Sequence, residues 1–263
     1  MSKMGACGWR ASAGHSSIDS QSNRCRDPVK TPSYMEPRAY FVAMCDVLGF
    51  SQLVGTTSLE MVHQQYRSLL DDVGPNIFRS SPQTSQRIYL VEHVVFSDTI
   101  LFWAPADGQI EILPGLLCIL MRQLMGSMPL RVGIAFGDCV IDPQEHIYIG
   151  QPIIDAYLTE QAQEWVGGAY HRSCWSAPRF PEFATEWAQI VKYPVPVKIS
   201  GAVKCDQPSL EYAVNWTLFT GPDVLTTIAD QERRAPEAAK MKWRNARMFY
   251  EIVSAGGAHL RDS

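Results

Sequence analysis

The sequence predicts an α+β fold, a mainly antiparallel sheet with flanking helices, on three observations. β-rich runs come in pairs separated by only a few turn residues, as hairpins require. Stretches with helical spacing alternate with those pairs along the chain. The 263 residues, 46% of them hydrophobic, suffice for one substantial core. No linker divides residues 37–255, which are taken as one domain between a disordered tail (1–36) and a flexible C-terminus (256–263).

The first element is AYFVAMCDV (39–47), apolar on both faces until Asp46, as expected of a central strand covered by helices. Gly49 breaks it. Thr57 and Glu60 suit a capping box opening a helix to about Val73, with Leu59, Val62, Tyr66 and Leu69 on one face. RIYLVEHVVF and TILFWA (87–104) form two strand-like runs hinged at Ser97 and Asp98, placing Asp98 at a hairpin tip. A helix is expected over 110–125. RVGIAFGDCVID (131–142) reads as another pair of strands, punctuated by Gly133 and Gly137, with Asp138 and Asp142 serving turn geometry. After Gly150 a helix opens with Pro152 in its first turn and Ile153, Tyr157 and Gln161 on one face. VPVK (195–198) and LEYAVNW (210–216) read as late strands, and 222–253 as one or two helices.

Composition excludes several functions. A net charge of −4 supplies no global basic field for a long nucleic acid. The seven cysteines show no C-x-x-C or zinc-like spacing, favouring reduced thiols and a cytoplasmic setting. The six histidines show no H-x-x-x-H spacing, against a dedicated zinc site. No apolar run is long enough to cross a bilayer, and no signal peptide is evident at the N-terminus.

Two acidic residues interrupt otherwise apolar strands: Asp46 in YFVAMCDVLGF and Asp98 in VVFSDTILF. A buried ionised carboxylate is costly unless it is paired or coordinates a cation, and neither segment carries a Lys or Arg nearby. Were the strand end to lie beside the hairpin tip, the carboxylates could bracket two divalent ions. Their spacing is equally consistent with solvated turn residues. VLGFS could offer backbone N–H groups to polyphosphate oxygens around Gly49, although Gly49 alone also reads as an ordinary strand terminator.

On these residues the chain resembles the class III adenylate and guanylate cyclases. AYFVAMCDVLGFSQLV is similar to their first strand and phosphate loop, and VVFSDTILF to the hairpin carrying their second metal aspartate. RVGIAFGDCV and IYIGQPIIDAYLTE are similar to the strands and helix that follow, so the likeness covers roughly 39–216. It implies a ferredoxin-like sheet, two Mn²⁺ or Mg²⁺ ions held by Asp46 and Asp98 with the Val47 backbone, triphosphate contacts from Val47, Leu48, Gly49, Phe50 and Ser51, and a homodimer. One ion would lower the pKa of the ribose 3′-hydroxyl, and the other would neutralise the leaving pyrophosphate. Lys198 occupies a late-strand position similar to that of the family's triphosphate lysine and is equally consistent with solvating a surface. Arg131 and Lys204 are further candidate cations for the developing charge, each read more readily as solvating a surface.

Departures from the family pattern narrow the expectation. Ile154 and Leu158 occupy the positions of its ribose-orienting Asn and transition-state Arg, and Glu92 and Ile147 those of its adenine-reading pair. Losing purine determinants while keeping both aspartates resembles the pyrimidine cyclases of the bacterial Pycsar antiphage system. That implies conversion of UTP to cyclic UMP, or of CTP to cyclic CMP, as a signal to a separate cyclic-nucleotide-sensing effector. Phe50, Glu92 and Tyr157 are candidates for shaping the base pocket, each also explicable by packing or a solvated face. An inactive, nucleotide-sensing cyclase-like domain is the alternative. A metal-dependent phosphodiesterase or nuclease would want more carboxylates or histidines.

Overall fold

Strand β1 (Arg38–Val47) holds the centre of the sheet because both its faces are apolar: Phe41, Val42, Ala43 and Cys45 are all buried. The structure, a computed structural model, describes residues 36–80, 87–89, 91–107, 110–198, 210–218, 221 and 223–256. Residues 1–35 of the expected tail, Lys204 and residues 257–263 lie outside the described residues. After β1 come α1 (Phe50–Thr56), α2 (Leu59–Ile77), β2 (Phe78–Ser80), β3 (Arg87–Tyr89), β4 (Glu92–Phe96), β5 (Thr99–Pro105) and α3 (Ile112–Leu124). The chain continues through β6 (Leu130–Asp142), β7 (Ile147–Gly150), α4 (Gln151–Ala162), β8 (Gly167–Tyr170), a 3-10 turn (Arg172–Ser176) and α5 (Phe180–Glu186). It ends with β9 (Ile190–Lys192), β10 (Tyr212–Val214), α6 (Asp223–Arg234) and α7 (Glu237–Gly256).

The main sheet runs β4-β5-β1-β6-β8-β10-β9, with β7 paired to β6. It is antiparallel except where β8 runs parallel to β6. Alternation along β1 separates two cores. Phe41, Ala43, Cys45 and Val47 face α2, α3 and α7, whereas Tyr40 and Val42 join Leu101, Trp103, Ala135 and Ala156 of α4 on the other side. The expected α+β class, with helices on both faces of a mainly antiparallel sheet, is what the chain adopts. Among the described residues no helix is long and apolar enough to cross a membrane.

Several elements differ from expectation, each for a local reason. The run 131–142 is one long strand, not two, because Gly133 serves packing rather than a turn. A Cβ on Gly133 would stand 2.1 Å from the Ala156 carbonyl oxygen and 2.5 Å from the Glu160 nitrogen, so α4 rests directly on the β6 backbone. Gly133→Ala is expected to force α4 outward and cost about 1–3 kcal/mol, measurable as a lowered urea midpoint at constant m-value; an unchanged midpoint would show that the contact yields freely. The expected capping box does not form: Ser58 caps the helix instead of Thr57, its Oγ accepting the Met61 N–H at 3.3 Å, and the short helix α1 precedes it. VPVK makes only an isolated bridge, Val197 to Gln163, while a strand not anticipated, β9, forms at 190–192. On α4 the buried side is Pro152, Ala156, Thr159 and Glu160, leaving Tyr157 exposed. Asp142 does serve its turn, its Oδ1 accepting the N–H groups of Gln144 and Glu145 at 3.1 and 3.2 Å.

Candidate active site

Two aspartates that lie 52 positions apart in the chain meet because β1 and β5 are antiparallel neighbours. Asp46 pairs with Thr99 in that ladder, and the Val47 N–H donates to the Asp98 carbonyl at 2.9 Å. The β4–β5 turn is the two residues Ser97 and Asp98, with Ser97 in the left-handed region at φ 57°. Tyr66 of α2 fixes this tip by donating its hydroxyl to the Ser97 carbonyl at 2.9 Å. Burial pushes the Tyr66 phenol up to about 12, with the charges of Asp98 and Asp46 adding to it, so it stays a neutral donor.

On its other side Asp46 pairs with Arg131 of β6. The Arg131 side chain is only 6% exposed. Its Nη2 donates to Asp46 Oδ2 at 3.1 Å, its Nε to Glu160 Oε1, and its Nη1 to the Gln163 carbonyl at 3.3 Å. Glu160, from the last turn of α4, is buried as well and also accepts from Gln161 Nε2 at 2.7 Å. Gln163 continues the network, donating to the carbonyls of Val132 and Thr159 at 2.8 and 2.9 Å and accepting from Trp165 Nε1 at 2.7 Å. The guanidinium fork is thereby satisfied by groups that fix its plane. Burial raises the Asp46 carboxyl, Arg131 pulls it back and Asp98 raises it further. Glu160 is likewise raised by burial and lowered by Arg131.

The expected site residues fall into distinct surroundings. Val47 is a buried core side chain, so only its backbone faces the site. The Leu48 N–H donates to the Pro129 carbonyl at 2.9 Å. Gly49 is exposed at φ 78°, a conformation that disfavours any side chain, and a Cβ there would meet nothing within 4 Å. The glycine therefore serves the backbone turn, and the space above it is open. Phe50 packs against the core, edge-on to Tyr66 at 6.3 Å, and Ser51 is exposed. Lys198 Nζ donates to the Gln161 carbonyl at 2.6 Å; its pKa is lowered first by burial, then by Arg131 and Lys242. Arg131, expected to reach the triphosphate, instead turns its fork inward to Asp46 and Glu160. Glu92 pairs with Trp103, four positions along β5 from the Thr99 opposite Asp46, which puts it about 13 Å away along the strand. Tyr157 is on the outer side of α4.

Glu160, Gln163 and Tyr66 were not singled out in the sequence as site residues. Glu160 carried one readable signal, an acid on a helix whose buried side is otherwise small and uncharged, but its partner Arg131 is revealed only by strand pairing.

Among the described residues no group of three or more His, Cys, Asp or Glu side chains could hold a metal ion. What is present is a pair of carboxylates with the adjoining Val47 backbone. Asp46 Oδ1 and both Asp98 carboxyl oxygens accept no hydrogen bond from the described residues. Unengaged hard oxygen donors that repel one another suit a Mg²⁺ or Mn²⁺ ion completed by water or phosphate oxygens.

No family model matches the chain, and no curated protein matches it. Similarity is found among solved structures. The catalytic core of a rhodopsin-guanylyl cyclase with converted specificity, in complex with ATPalphaS, is 13% identical, covering 68% of this chain and 95% of its own at a TM-score of 0.45. An adenylate/guanylate cyclase/hydrolase from Silicibacter pomeroyi is 15% identical, covering 68% and 98% at 0.45. The guanylate cyclase domain of RhGC from Catenaria anguillulae, in complex with GTP, is 13% identical, covering 67% and 96% at 0.43.

Proposed function

We propose that the chain is a nucleotidyl cyclase that converts UTP to 3′,5′-cyclic UMP and pyrophosphate. The observation that carries this reading is the meeting of Asp46 and Asp98 at adjacent strand ends, with unengaged oxygens, beside the Val47–Gly49 turn. The sequence resemblance to class III cyclases supports it, because the motifs occur in that family's order. In the reaction the ribose 3′-oxygen forms a bond to the α-phosphorus, the bond from that phosphorus to the pyrophosphate oxygen breaks, and the hydroxyl proton passes to solvent. Asp46 and Asp98 would hold Mn²⁺ or Mg²⁺ ions, which supply charge neutralisation and a more acidic 3′-hydroxyl when bound. Arg131 acts as a positioning residue: it fixes the Asp46 carboxylate from below and leaves Oδ1 free. The open turn at Gly49 admits phosphate oxygens close to backbone, with Gly49 to Ser51 as the cradle, since the Val47 and Leu48 N–H groups are already given to the Asp98 and Pro129 carbonyls.

The pyrimidine preference rests on the absent purine set, and CTP is the alternative substrate. Ile154 is 51% exposed on α4, where the resembled family has a ribose-orienting Asn; this favours, as a second reading, an inactive nucleotide-sensing domain. Ile147, Ile149, Ile154 and Tyr157 on β7 and α4 are all at least 42% exposed, an apolar surface that supports a homodimer. Cys45, Cys118, Cys139 and Cys174 are free and buried, in keeping with a reducing, cytoplasmic setting. The product would then signal to a cyclic-nucleotide-sensing effector in antiphage defence.

The test is incubation with each of the four nucleoside triphosphates and Mn²⁺, following pyrophosphate and cyclic monophosphate. UTP is expected to be consumed fastest. A clear ATP preference would reject the pyrimidine assignment, and no turnover of any of the four would favour the sensing domain.

A further inference from the structure

The C-terminal helices α6 and α7 carry six cations: Arg233, Arg234, Lys240, Lys242, Arg244 and Arg247. Four of them are neutralised close by, Arg233 by Asp230, Lys240 by Glu237, and both Arg244 and Arg247 by Glu232. Arg234 and Lys242 have no carboxylate within ion-pair distance among the described residues. These same two line a cavity of about 290 Å³ whose opposite wall is Val47, Leu48, Gly49 and Gln52. No acidic residue lines it. Two unpaired cations facing an open backbone turn, with no carboxylate between them, make an anion-binding surface. The cavity lies at the lower end of the small-molecule range, a size for a polyphosphate tail rather than a whole nucleotide.

We propose that Arg234 and Lys242 bind the β- and γ-phosphates of the triphosphate, and the pyrophosphate released from it, in the cavity between α6–α7 and the Val47–Gly49 turn. This rests on the nucleotidyl cyclase reading and adds cations that the resembled motifs do not contain. The hairpin is held rigidly enough to present them. Gln231 Nε2 donates to the Gly126 carbonyl at 2.6 Å, and Asn245 Nδ2 to the Glu164 carbonyl at 2.6 Å. The Val166 N–H donates to the carbonyl of Lys242 itself at 3.3 Å. The next residue, Trp243, is buried, and Phe249 meets Trp165 edge-on at 4.9 Å. The Lys242 charge reaches the metal-side carboxylate too, since it lowers the pKa of Asp46.

The experiment is calorimetric titration of inorganic tripolyphosphate into the full chain in metal-free, low-salt buffer, for the wild type, Lys242→Gln, Arg234→Gln and the double variant. Arg67→Gln, on the exposed side of α2, is the control. Each single variant is expected to weaken binding about tenfold or more, the double variant to abolish it, and Lys242→Arg and the control to retain it. All should melt with the wild type, because neither side chain has a partner to lose. Equal tripolyphosphate binding by the wild type and the double variant overturns the subsite, even if the protein cyclises nucleotides. Loss of binding in the double variant establishes the subsite even if no triphosphate is turned over, the outcome that would sink the cyclase reading alone.

Discussion

Asp46→Ala and Asp98→Ala are each expected to lower cyclic nucleotide formation at least a hundred- to a thousandfold, roughly the loss that follows removal of one preorganised electrostatic group. Asp46→Ala takes away one of the three carboxylate oxygens not occupied by the protein itself, and Asp98→Ala takes away the other two. The fold should survive. In Asp46→Ala the buried guanidinium keeps Glu160 and the Gln163 carbonyl, and the lost pairing is offset by release of a carboxylate that burial disfavours. The sign follows from the raised folded-state pKa of Asp46. Its protonation is favoured in the native state, so its contribution to stability is present below the ordinary carboxylate value of 3.8 and is lost as pH rises through the folded-state value. Activity runs the other way, because cation binding needs the ionised form. Acidification should therefore weaken cation binding, and turnover with it, as Asp46 takes up a proton. Steady-state rates across pH, with thermal melts of both variants, check this, and retained turnover in either variant would remove the two-carboxylate mechanism.

Arg131→Met is expected to be the most destabilising single change at the site, by about 3–5 kcal/mol, because it strands one deeply buried carboxylate and one partly buried one without their shared counter-charge. Glu160 is 2% exposed at its side chain and Asp46 24%, so water can screen the second far better than the first. The deficit should shrink as pH falls through the raised folded-state pKa of Glu160, since protonation neutralises the stranded group. Arg131→Lys should rescue only part of the loss, since a point charge cannot span Asp46, Glu160 and the Gln163 carbonyl at once. Urea unfolding of the three proteins at two pH values reads both effects. A deficit under about 1 kcal/mol that does not vary with pH would mean that the cluster is solvated and Arg131 does not position Asp46.

Much of the scaffold was legible because its signals are local. The β4–β5 hairpin tip, α3 and α4 follow from alternation, helical spacing and the glycine and proline around them. Elements that depend on packing were not. Gly133 and Gly137 looked like interruptions between two strands, yet β6 passes through both; Gly133 is there for the helix lying on it. VPVK looked like a strand, but its bonds go to different neighbours, Val195 N–H to the Leu210 carbonyl, Glu164 N–H to the Pro196 carbonyl and Lys198 N–H to the Ala162 carbonyl. Pro196 has no N–H with which to continue a ladder.

The sequence by itself determined the class of fold, the two acidic interruptions of apolar strands, and the glycine turn beside the first, because each is a departure from a short-range pattern that hydrophobicity enforces. Tertiary structure alone decided that Asp46 and Asp98 are neighbours, that Arg131 lies beneath them bound to Glu160, and that Lys242 and Arg234 face the turn from the far end of the chain. Those facts depend on strand register and helix docking, which are set by the summed burial of many side chains, so no single residue announces them.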